Sequence, residues 1–340
     1  MTTTSQGIAW FRTEWTPWHT TTMLVAVTLI AGALPWVKMS LVVNGLFLAA
    51  IIALGAIGLS LIFGILKFAN VAHGDYMMMG AYVTFFIVES VLEPLGLEGV
   101  GLGPFTFGYP LLIALPIGAA IVAGGSILLD IGIYRRLRNR GGNVGMLSMA
   151  SLGVAIALRG LVQIIWSTDA QSFPRESRQV FRLPMDVRVP PDSIFIGIAA
   201  VALVAGIYVI LTHTKMGKAM RATADNPDLA RVTGINTQQV IWWTWAIGGG
   251  LAAIAGILLS VSQAQMLPIM GWKFLIPLFA AVILGGIGNP YGALVGAFVI
   301  GVTMEMSTQW INPSYKPAVA FGIMLAMLLA RPRGLFGGSQ

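Results

Sequence analysis

The chain is 340 residues long, and 56% of its residues are apolar while only 10% are charged. A soluble domain with so few charges, against about 25% in a typical one, does not cover its surface, and a disordered chain is poor in apolar residues. With a mean hydropathy of +0.82, the composition excludes a soluble enzyme and indicates an all-α polytopic membrane protein.

The sequence has no cysteine, which excludes disulfide frameworks, thiolate zinc sites, iron–sulfur clusters and cysteine nucleophiles. The three histidines, His19, His73 and His213, lie too far apart in sequence for a local metal motif. A net charge of +7 is expected of membrane proteins, whose cytoplasmic loops carry excess Lys and Arg. We therefore predict no metal site and no nucleic-acid partner.

Ten segments within a single domain over residues 1–340 are candidate transmembrane helices, because about 20 apolar residues cross about 30 Å of hydrocarbon. They are residues 18–37, 40–65, 69–88, 109–133, 145–166, 192–211, 241–262, 274–288, 290–310 and 317–331. The eighth and tenth are short, which is typical of re-entrant or broken helices covered by protein or water. Segment 18–37 also resembles a signal peptide, but it lacks a basic preceding region, so we predict an extra N-terminal span.

Basic residues predict which loops face the cytoplasm. Residues 134–140 hold four arginines and no acid, and the loop 212–240 and the C-terminal tail are also basic. With ten spans these segments lie on one side, so we expect the loop 212–240 and both termini in the cytoplasm. The periplasmic side then carries the loop 167–191, whose acidic residues nearly balance its basic ones.

No segment has the pattern of a catalytic or ATP-binding site. The string closest to a P-loop, residues 216–219, lacks the upstream glycine and the hydroxyl residue after lysine. Neither the G-x-S-x-G nucleophile motif nor the H-E-x-x-H zinc motif occurs. We therefore predict no catalytic residues, and expect function to reside in intramembrane polar groups and in the loops.

The first polar cluster runs from Asn70 to Asp75, at the cytoplasmic start of the third span. Ionisable groups near the bilayer are costly, so His73 and Asp75 are candidates for a polar gate in a substrate passage. The alternative, which the local pattern favours, is that both side chains satisfy unpaired amides at a helix N-terminus. The two interpretations are compatible, because transporters build sites on capped, broken helices.

The second cluster is a glycine-rich turn made of Gly285, Gly286, Gly288 and Asn289. It predicts a sharp turn and a new helix with Pro290 in its first position. Residues 80–83 (Gly-Ala-Tyr-Val) match residues 296–299 (Gly-Ala-Phe-Val) at an offset of 216, which aligns His73 with Asn289. This match suggests duplicated halves, each with an interrupted helix.

The third cluster predicts a short helix in the loop 212–240. Asn226 is a good N-cap, Pro227 suits the first helical position, and Asp228 complements the positive end. Gly234 is expected to end the helix. Two turns are too short to be stable alone, so we expect a partner surface; a helix lying on the membrane is the alternative, but it would have little apolar surface.

Charged residues within the spans are predicted to pair or to extend toward water rather than to bind a ligand. Arg159 lies in the fifth span and Glu305 in the ninth, and Asp130 lies near the basic stretch that begins at Arg135. The tryptophans near the seventh span are interpreted as part of an interfacial belt that includes Trp242, Trp243 and Trp245.

Taken together, the motifs make the chain resemble the permease subunits of the branched-chain amino-acid ABC transporters from about Asn44 to Gly334. The residues that carry the resemblance are Asn44-Gly45, 58–64, 70–80, Tyr134-Arg135, 217–236, 284–288 and 332–337. The resemblance implies an ABC importer permease fold of about ten spans, some interrupted or re-entrant, in the bacterial inner membrane. It also implies a second, similar permease, two cytoplasmic ATPases that bind ATP and Mg²⁺, and a periplasmic solute-binding protein, with no cofactor on this chain.

The resemblance also assigns expected roles to residues. The expected substrate pathway comprises Asn44, Gly45, Asn70, His73, Gly74, Asp75, Gly285, Gly286, Gly288 and Asn289. The expected ATPase-coupling residues are Gly217, Arg221, Asp225, Asn226, Pro227, Asp228, Ala230 and Gly234. Arg159 stands where an uncharged polar residue is more usual, which is expected to affect which solute passes. Two alternatives remain open: a urea or short-amide permease of the same family, and an ion-coupled secondary transporter, which needs no coupling helix.

Overall fold

The computed structural model describes residues 38–96, 103, 105–174, 180–183 and 187–336, so the predicted span 18–37 lies outside the described residues. The helices are α1 (Met39–Leu66), α2 (His73–Phe86), α3 (Tyr109–Leu129), α4 (Arg135–Asn139), α5 (Val144–Trp166), α6 (Pro191–His213), α7 (Lys215–Asp225), α8 (Pro227–Val232), α9 (Thr237–Gln263), α10 (Met270–Gly285), α11 (Pro290–Ser307) and α12 (Lys316–Ala330). A π-helical stretch (Ile87–Leu92) prolongs α2, and another (Asp130–Tyr134) joins α3 to α4. Two short strands, β1 (Phe181–Leu183) and β2 (Val187–Val189), pair antiparallel.

Eight helical stretches among the described residues are long and apolar enough to cross a membrane, and α10 is apolar but shorter. These nine correspond in order to the second to tenth predicted spans, which confirms the all-α polytopic architecture. The tenth span is short as predicted, since α12 has 15 residues, and a 3-10 turn at Pro313–Tyr315 lengthens the stretch to 18 residues. The Asn312 side chain accepts from the amide of Ser314 at 3.0 Å and so starts this turn.

The third predicted span begins at His73, four residues later than predicted, after a break in the helix. α1 ends at Lys67, which adopts a left-handed conformation, and residues 67–72 are not helical. His73, the first residue of α2, contacts the carbonyl oxygen of Gly55 through Nε2 at 2.9 Å. Gly55 lies about three turns, or about 16 Å, before the end of α1. The chain therefore turns back into the bundle before α2 begins.

The helices pack by close backbone approach, as is typical of helices in lipid. A Cβ atom on Gly80 would overlap the backbone of Ala253, so α2 and α9 touch directly. α10 and α11 approach in the same way, because a Cβ atom on Gly285 would overlap the backbone of Gly292. These contacts join α2 to α9 and α10 to α11 with little room for independent sliding.

The contacts define two ends of the bundle. At the basic end, a shallow apolar groove brings the end of α1 (Leu61, Gly64) together with Arg221 of α7 and Gly288. The C-terminal segment joins this end, since the amide of Leu335 donates to the carbonyl of Leu284 at 2.8 Å. The predicted cytoplasmic segments that the structure describes thus meet at one end, as the charge pattern requires.

The opposite end carries the predicted periplasmic loop 167–191, of which residues 175–179 and 184–186 lie outside the described residues. Gln171 pairs with Met266, just beyond α9, through two backbone hydrogen bonds of 3.0 and 2.7 Å. Phe173 is buried and packs edge-on against Phe85, with ring centroids 6.2 Å apart. This end of the bundle is therefore covered by structured chain.

Candidate functional site

Asp75 and Arg159 form an ion pair between α2 and α5. Both Nε and Nη2 of Arg159 donate to Oδ1 of Asp75, at 3.2 and 2.9 Å, and Nη2 also reaches Oδ2 at 3.2 Å. The Asp75 side chain is 1% exposed and that of Arg159 is 19% exposed. The prediction that Arg159 pairs is confirmed, and its partner is a predicted pathway residue.

The prediction that His73 and Asp75 cap the N-terminus of α2 is wrong. Asp75 faces Arg159, and His73 contacts the carbonyl of Gly55 on α1. Asn70 accepts from the amide of Ala72 at 3.1 Å instead. Long-range partners thus replace the local amides, because α2 begins inside the bundle with other helices around it.

The remaining members of the first cluster are also buried, except for the half-buried Val71. The hydroxyl of Ser151 on α5 accepts from the amide of Val71 at 3.0 Å, which fixes the non-helical segment before α2. Gly74 lies against Gly271 at the start of α10, because a Cβ atom on either glycine would overlap the other's backbone. The sequence analysis missed Ser151, since nothing local marks a serine as the partner of a distant amide.

An aromatic cluster fills the space beside α2 toward the basic end, and it consists of Phe68, Tyr76, Tyr134 and Trp245. The Tyr134 and Trp245 rings stack with centroids 5.0 Å apart. Trp245 is fully buried, so its interpretation as an interfacial residue is wrong; it packs on Tyr134 rather than facing the headgroups. The hydroxyls of Tyr76 and Tyr134 and the side-chain amide of Asn70 lie close together beside this cluster.

Two further acids that were predicted to pair, Asp130 and Glu305, do so. Oδ1 of Asp130, in a fully buried residue, accepts from Nη2 of Arg138 at 2.7 Å. Glu305 near the end of α11 contacts Nζ of Lys316 at 2.5 Å. Both pairs lie near helix ends. Asp75 lies in the first turn of α2, but that helix begins inside the bundle, and Arg159 lies in the body of α5.

The glycine-rich turn joins α10 to α11 as predicted. Oδ1 of Asn289 accepts from the amides of Tyr291 and Gly292 at 3.1 Å each, so Asn289 caps α11. Gly286 and Gly288 have φ of +109° and +80°, a conformation that favours glycine. Nδ2 of Asn289 donates to the carbonyl of Phe336 at 3.4 Å, which links the turn to the C-terminal segment.

The ten predicted pathway residues lie at three levels of the bundle. Asn70 to Asp75 lie in its interior, and Gly285 to Asn289 lie at the basic end. Gly45 lies early in α1 against Val302 of α11, and Asn44 beside it is half-buried. Within this chain the structure therefore does not bring these residues into one pocket, and their role in a pathway stays a prediction.

The predicted helix in the loop 212–240 is confirmed as α8. The Asn226 side chain accepts from the amides of Asp228 and Leu229 at 3.1 and 3.0 Å. Gly234 has a φ of +86°, and the amide of Ile235 donates to the carbonyl of Ala230 at 3.0 Å, which closes the helix. The helix α8 does not stand alone, because α7 precedes it directly.

Both ends of the α7–α8 segment are attached to long helices. Arg221 of α7 donates through Nη1 to the carbonyl of Leu211 at the end of α6. Nε of Arg231 donates to the hydroxyl of Thr237, the first residue of α9, at 3.0 Å. Partial desolvation lowers the pKa of Lys67 beside this segment, and the nearby Asp225 carboxylate opposes that shift.

The outer surface of α8 is apolar in part. Leu229 is 61% exposed and Val232 is 85% exposed, while Ala230 between them is buried. Asp228 and Arg231 form only an exposed contact of 3.6 Å, and such pairs contribute little stability. Two aliphatic side chains thus project outward from the basic end, one turn apart.

Comparison with known proteins gives the family. The family described as branched-chain amino acid transport system / permease component matches residues 41–328. The chain belongs to this family. It is 31% identical to the permease protein BraD of Pseudomonas aeruginosa over 301 residues, which cover 87% of this chain and 94% of BraD. It is 29% identical to LivH of Escherichia coli over 301 residues, covering 86% and 94% of the two chains.

A further relative is LivM, also a permease protein of the high-affinity branched-chain amino acid system of Escherichia coli. It is 26% identical over 341 residues, which cover 92% of this chain and 74% of LivM. Family membership and the apolar helices together make this chain a multi-pass membrane permease and not a catalytic subunit. The family assignment agrees with the resemblance carried by the sequence motifs.

Proposed function

We propose that this chain is one of two permease subunits of an ATP-driven importer for branched-chain amino acids in the bacterial inner membrane. Its relatives BraD and LivH are named as permeases of such systems. The single observation that carries the coupling role is α8, a capped helix with Leu229 and Val232 exposed. An exposed apolar pair on a two-turn helix needs a partner, and a cytoplasmic ATPase supplies one.

The attachments of α7 and α8 to the long helices support a route by which movement of the ATPase reaches the membrane spans. An ATPase that moves α8 pulls on α9 through the Arg231–Thr237 hydrogen bond and on α6 through Arg221. α9 in turn packs on α2 at Gly80 and Ala253 without a gap. A rigid contact transmits displacement, because packed interiors shift rather than compress. The motion thus reaches the buried start of α2, where Asp75 and His73 lie.

The remaining partners follow from the family. The pathway runs between this chain and a second permease, for which the similarity to LivM is a precedent. A periplasmic solute-binding protein delivers the amino acid and carries most of the specificity. ATP and Mg²⁺ bind to the ATPase subunits. The basic end faces the cytoplasm, in agreement with the distribution of Lys and Arg.

The deciding experiment is reconstitution in vesicles. Leucine uptake is expected only when this chain is combined with its second permease, the ATPases, ATP and the binding protein. Uptake by this chain alone along a proton gradient would establish the ion-coupled alternative instead. Uptake of urea or acetamide in place of leucine by the full complex would move the substrate assignment to the short-amide branch.

The coupling role is tested by substitutions on α8. Leu229→Asp and Val232→Asp are expected to abolish ATP-driven uptake and ATPase binding without loss of folded protein, since both side chains are exposed. Gly234→Val is expected to reduce uptake at least about tenfold, because a β-branched residue strains its left-handed backbone. Gly141→Val is the matched control, as Gly141 has a φ of +76° and open space around it but lies between α4 and α5. Equal losses in both glycine variants would contradict a specific role for α8.

A further inference from the structure

The ion pair with Asp75 occupies only some of the hydrogen-bond donors of the Arg159 guanidinium. Asp75 receives hydrogen bonds from Nε and Nη2, and no residue in the described part of the chain accepts one from Nη1. Arg159 is also the exposed member of the pair, at 19% against 1% for Asp75. The free edge of the guanidinium therefore points away from Asp75 and toward the surface of the protomer.

An aromatic ring packs against the guanidinium group of Arg159. The guanidinium carbon of Arg159 lies 5.2 Å from the ring centroid of Trp272, at the start of α10. Gly271 is pressed against Gly74 on α2, so the position of Trp272 follows from the same packing that places Asp75. Stacking on an aromatic ring restricts an arginine side chain and leaves its N–H edge available.

The exposed face of α5 around Arg159 is mixed, with one apolar and one polar neighbour. Ile156 and Gln163, each about one turn from Arg159, are both exposed on α5. The exposed large side chains of α6 and α12 include Ile198, Val201, Phe321 and Leu325, which suit lipid. A charged group on a span faces protein or water rather than hydrocarbon. The face of α5 around Arg159 therefore suits the water-filled side between two permeases.

We propose that Arg159 binds the carboxylate of the amino acid during its passage, with Asp75 as the resident counter-ion and Trp272 as the support. The proposal rests on the proposed function, because it takes the solute to be an amino acid and the α5 face to line the pathway. An arginine fork matches a carboxylate in shape and charge. Asp75 keeps the pair neutral when the site is empty, and the carboxylate takes the Nη1 edge that Asp75 leaves open.

The pairing with Asp75 also explains how a solute can leave. An isolated buried arginine would bind an anion too tightly for transport, whereas Asp75 already satisfies part of its charge. Release requires only that the solute carboxylate give up its contact with Nη1. A small displacement of α2 relative to α5 would change how strongly Asp75 competes with the solute carboxylate for Arg159. The helix α2 is in direct contact with α9.

The test compares variants in the reconstituted complex, with wild-type leucine uptake measured first. Arg159→Lys keeps a counter-ion for Asp75 but loses the planar fork. The double variant Asp75→Asn with Arg159→Gln removes both charges at nearly constant volume. Each variant is expected to assemble with the second permease and to raise the KM for leucine at least about tenfold, which is the loss of one charge-assisted hydrogen bond.

The matched control is the double variant Glu305→Gln with Lys316→Gln. This ion pair is somewhat more exposed, at 16% and 26% against 1% and 19% for Asp75 and Arg159, and it also joins two helices. Its neutralisation is expected to leave the KM for leucine unchanged. A general effect of removing an intramembrane ion pair would instead raise the KM in both double variants, and that result would overturn the proposal.

The other outcomes are equally decisive. A wild-type KM in either Arg159 variant that assembles would overturn the proposal, and so would failure of both to assemble, since the pair would then be structural. If the variants changed the dependence of uptake on the phosphatidylglycerol content of the vesicles but not the KM, the ligand of Arg159 would be a lipid headgroup. If the wild-type complex did not transport leucine, the proposed function would fail, and the proposal for Arg159, which rests on it, would fail with it; wild-type uptake with an unchanged KM in the variants would overturn the proposal for Arg159 alone.

Discussion

α2 and α11 both begin after a break in the chain, and the two starts are held in different ways. α11 begins at the basic end, where Asn289 caps its first amides with a neutral side chain. α2 begins inside the bundle, where Asp75 binds Arg159 of another helix. The first glycine of the repeated Gly-Ala-x-Val motif allows a close helix contact in both helices. Gly80 packs on Ala253, and Gly296 packs on Ala281.

The difference shows that the depth of a helix N-terminus in the membrane decides which kind of partner its polar side chains need. At the surface a local cap is sufficient, because water satisfies what the cap does not. In the interior water is absent, and a charge is retained only with a partner. The alignment of His73 with Asn289 is consistent with duplicated halves, but the two residues have different partners, and the duplication itself stays a prediction.

The largest effect is expected at the buried ion pair. Asp75→Ala should lower the free energy of unfolding of the complex by about 3 kcal/mol, because it leaves Arg159 charged without its partner. The measurement is thermal unfolding of the purified complex in detergent. Adding Arg159→Gln to this variant should recover most of the loss. If the single variant were as stable as the wild type, the distinction between the two helix starts would be wrong.

The repeated glycines should give the next largest effect, and it should be similar in the two helices. Gly80→Val and Gly296→Val should each cost about 1–3 kcal/mol or more, since the added side chain meets backbone that cannot move away. The yield of monodisperse protein in detergent is the readout. Gly206→Val on α6 is the control, because open space surrounds that glycine. A loss in only one of the two helices would show that their packing is not equivalent.

The smallest effect is expected at the cap of α11. Asn289→Ala should cost about 1 kcal/mol, the usual contribution of an N-cap, and Asn289→Ser should retain most of it. The same thermal unfolding measurement applies. A loss as large as that of Asp75→Ala would mean that Asn289 does more than cap its helix, and its link to Phe336 would be the first contact to examine.

Local features of this protein followed from the sequence. Hydropathy placed the second to tenth spans in order, because a membrane helix must be apolar over its whole length. Asn226 and Asn289 were predicted as the start of a helix and as part of a helix-starting turn, since a cap binds amides two or three residues away. The basic segments were predicted to share one side, and the described ones do.

Tertiary structure alone decided the partners of the buried polar groups. Asp75 and Arg159 are 84 residues apart, and the local pattern favoured capping because it contained no information about α5. Trp245 has the sequence context of an interfacial residue, yet it is buried against Tyr134. The physical reason is range: hydropathy and caps act within a few residues, whereas ion pairs and ring stacking in the bundle depend on which helices become neighbours.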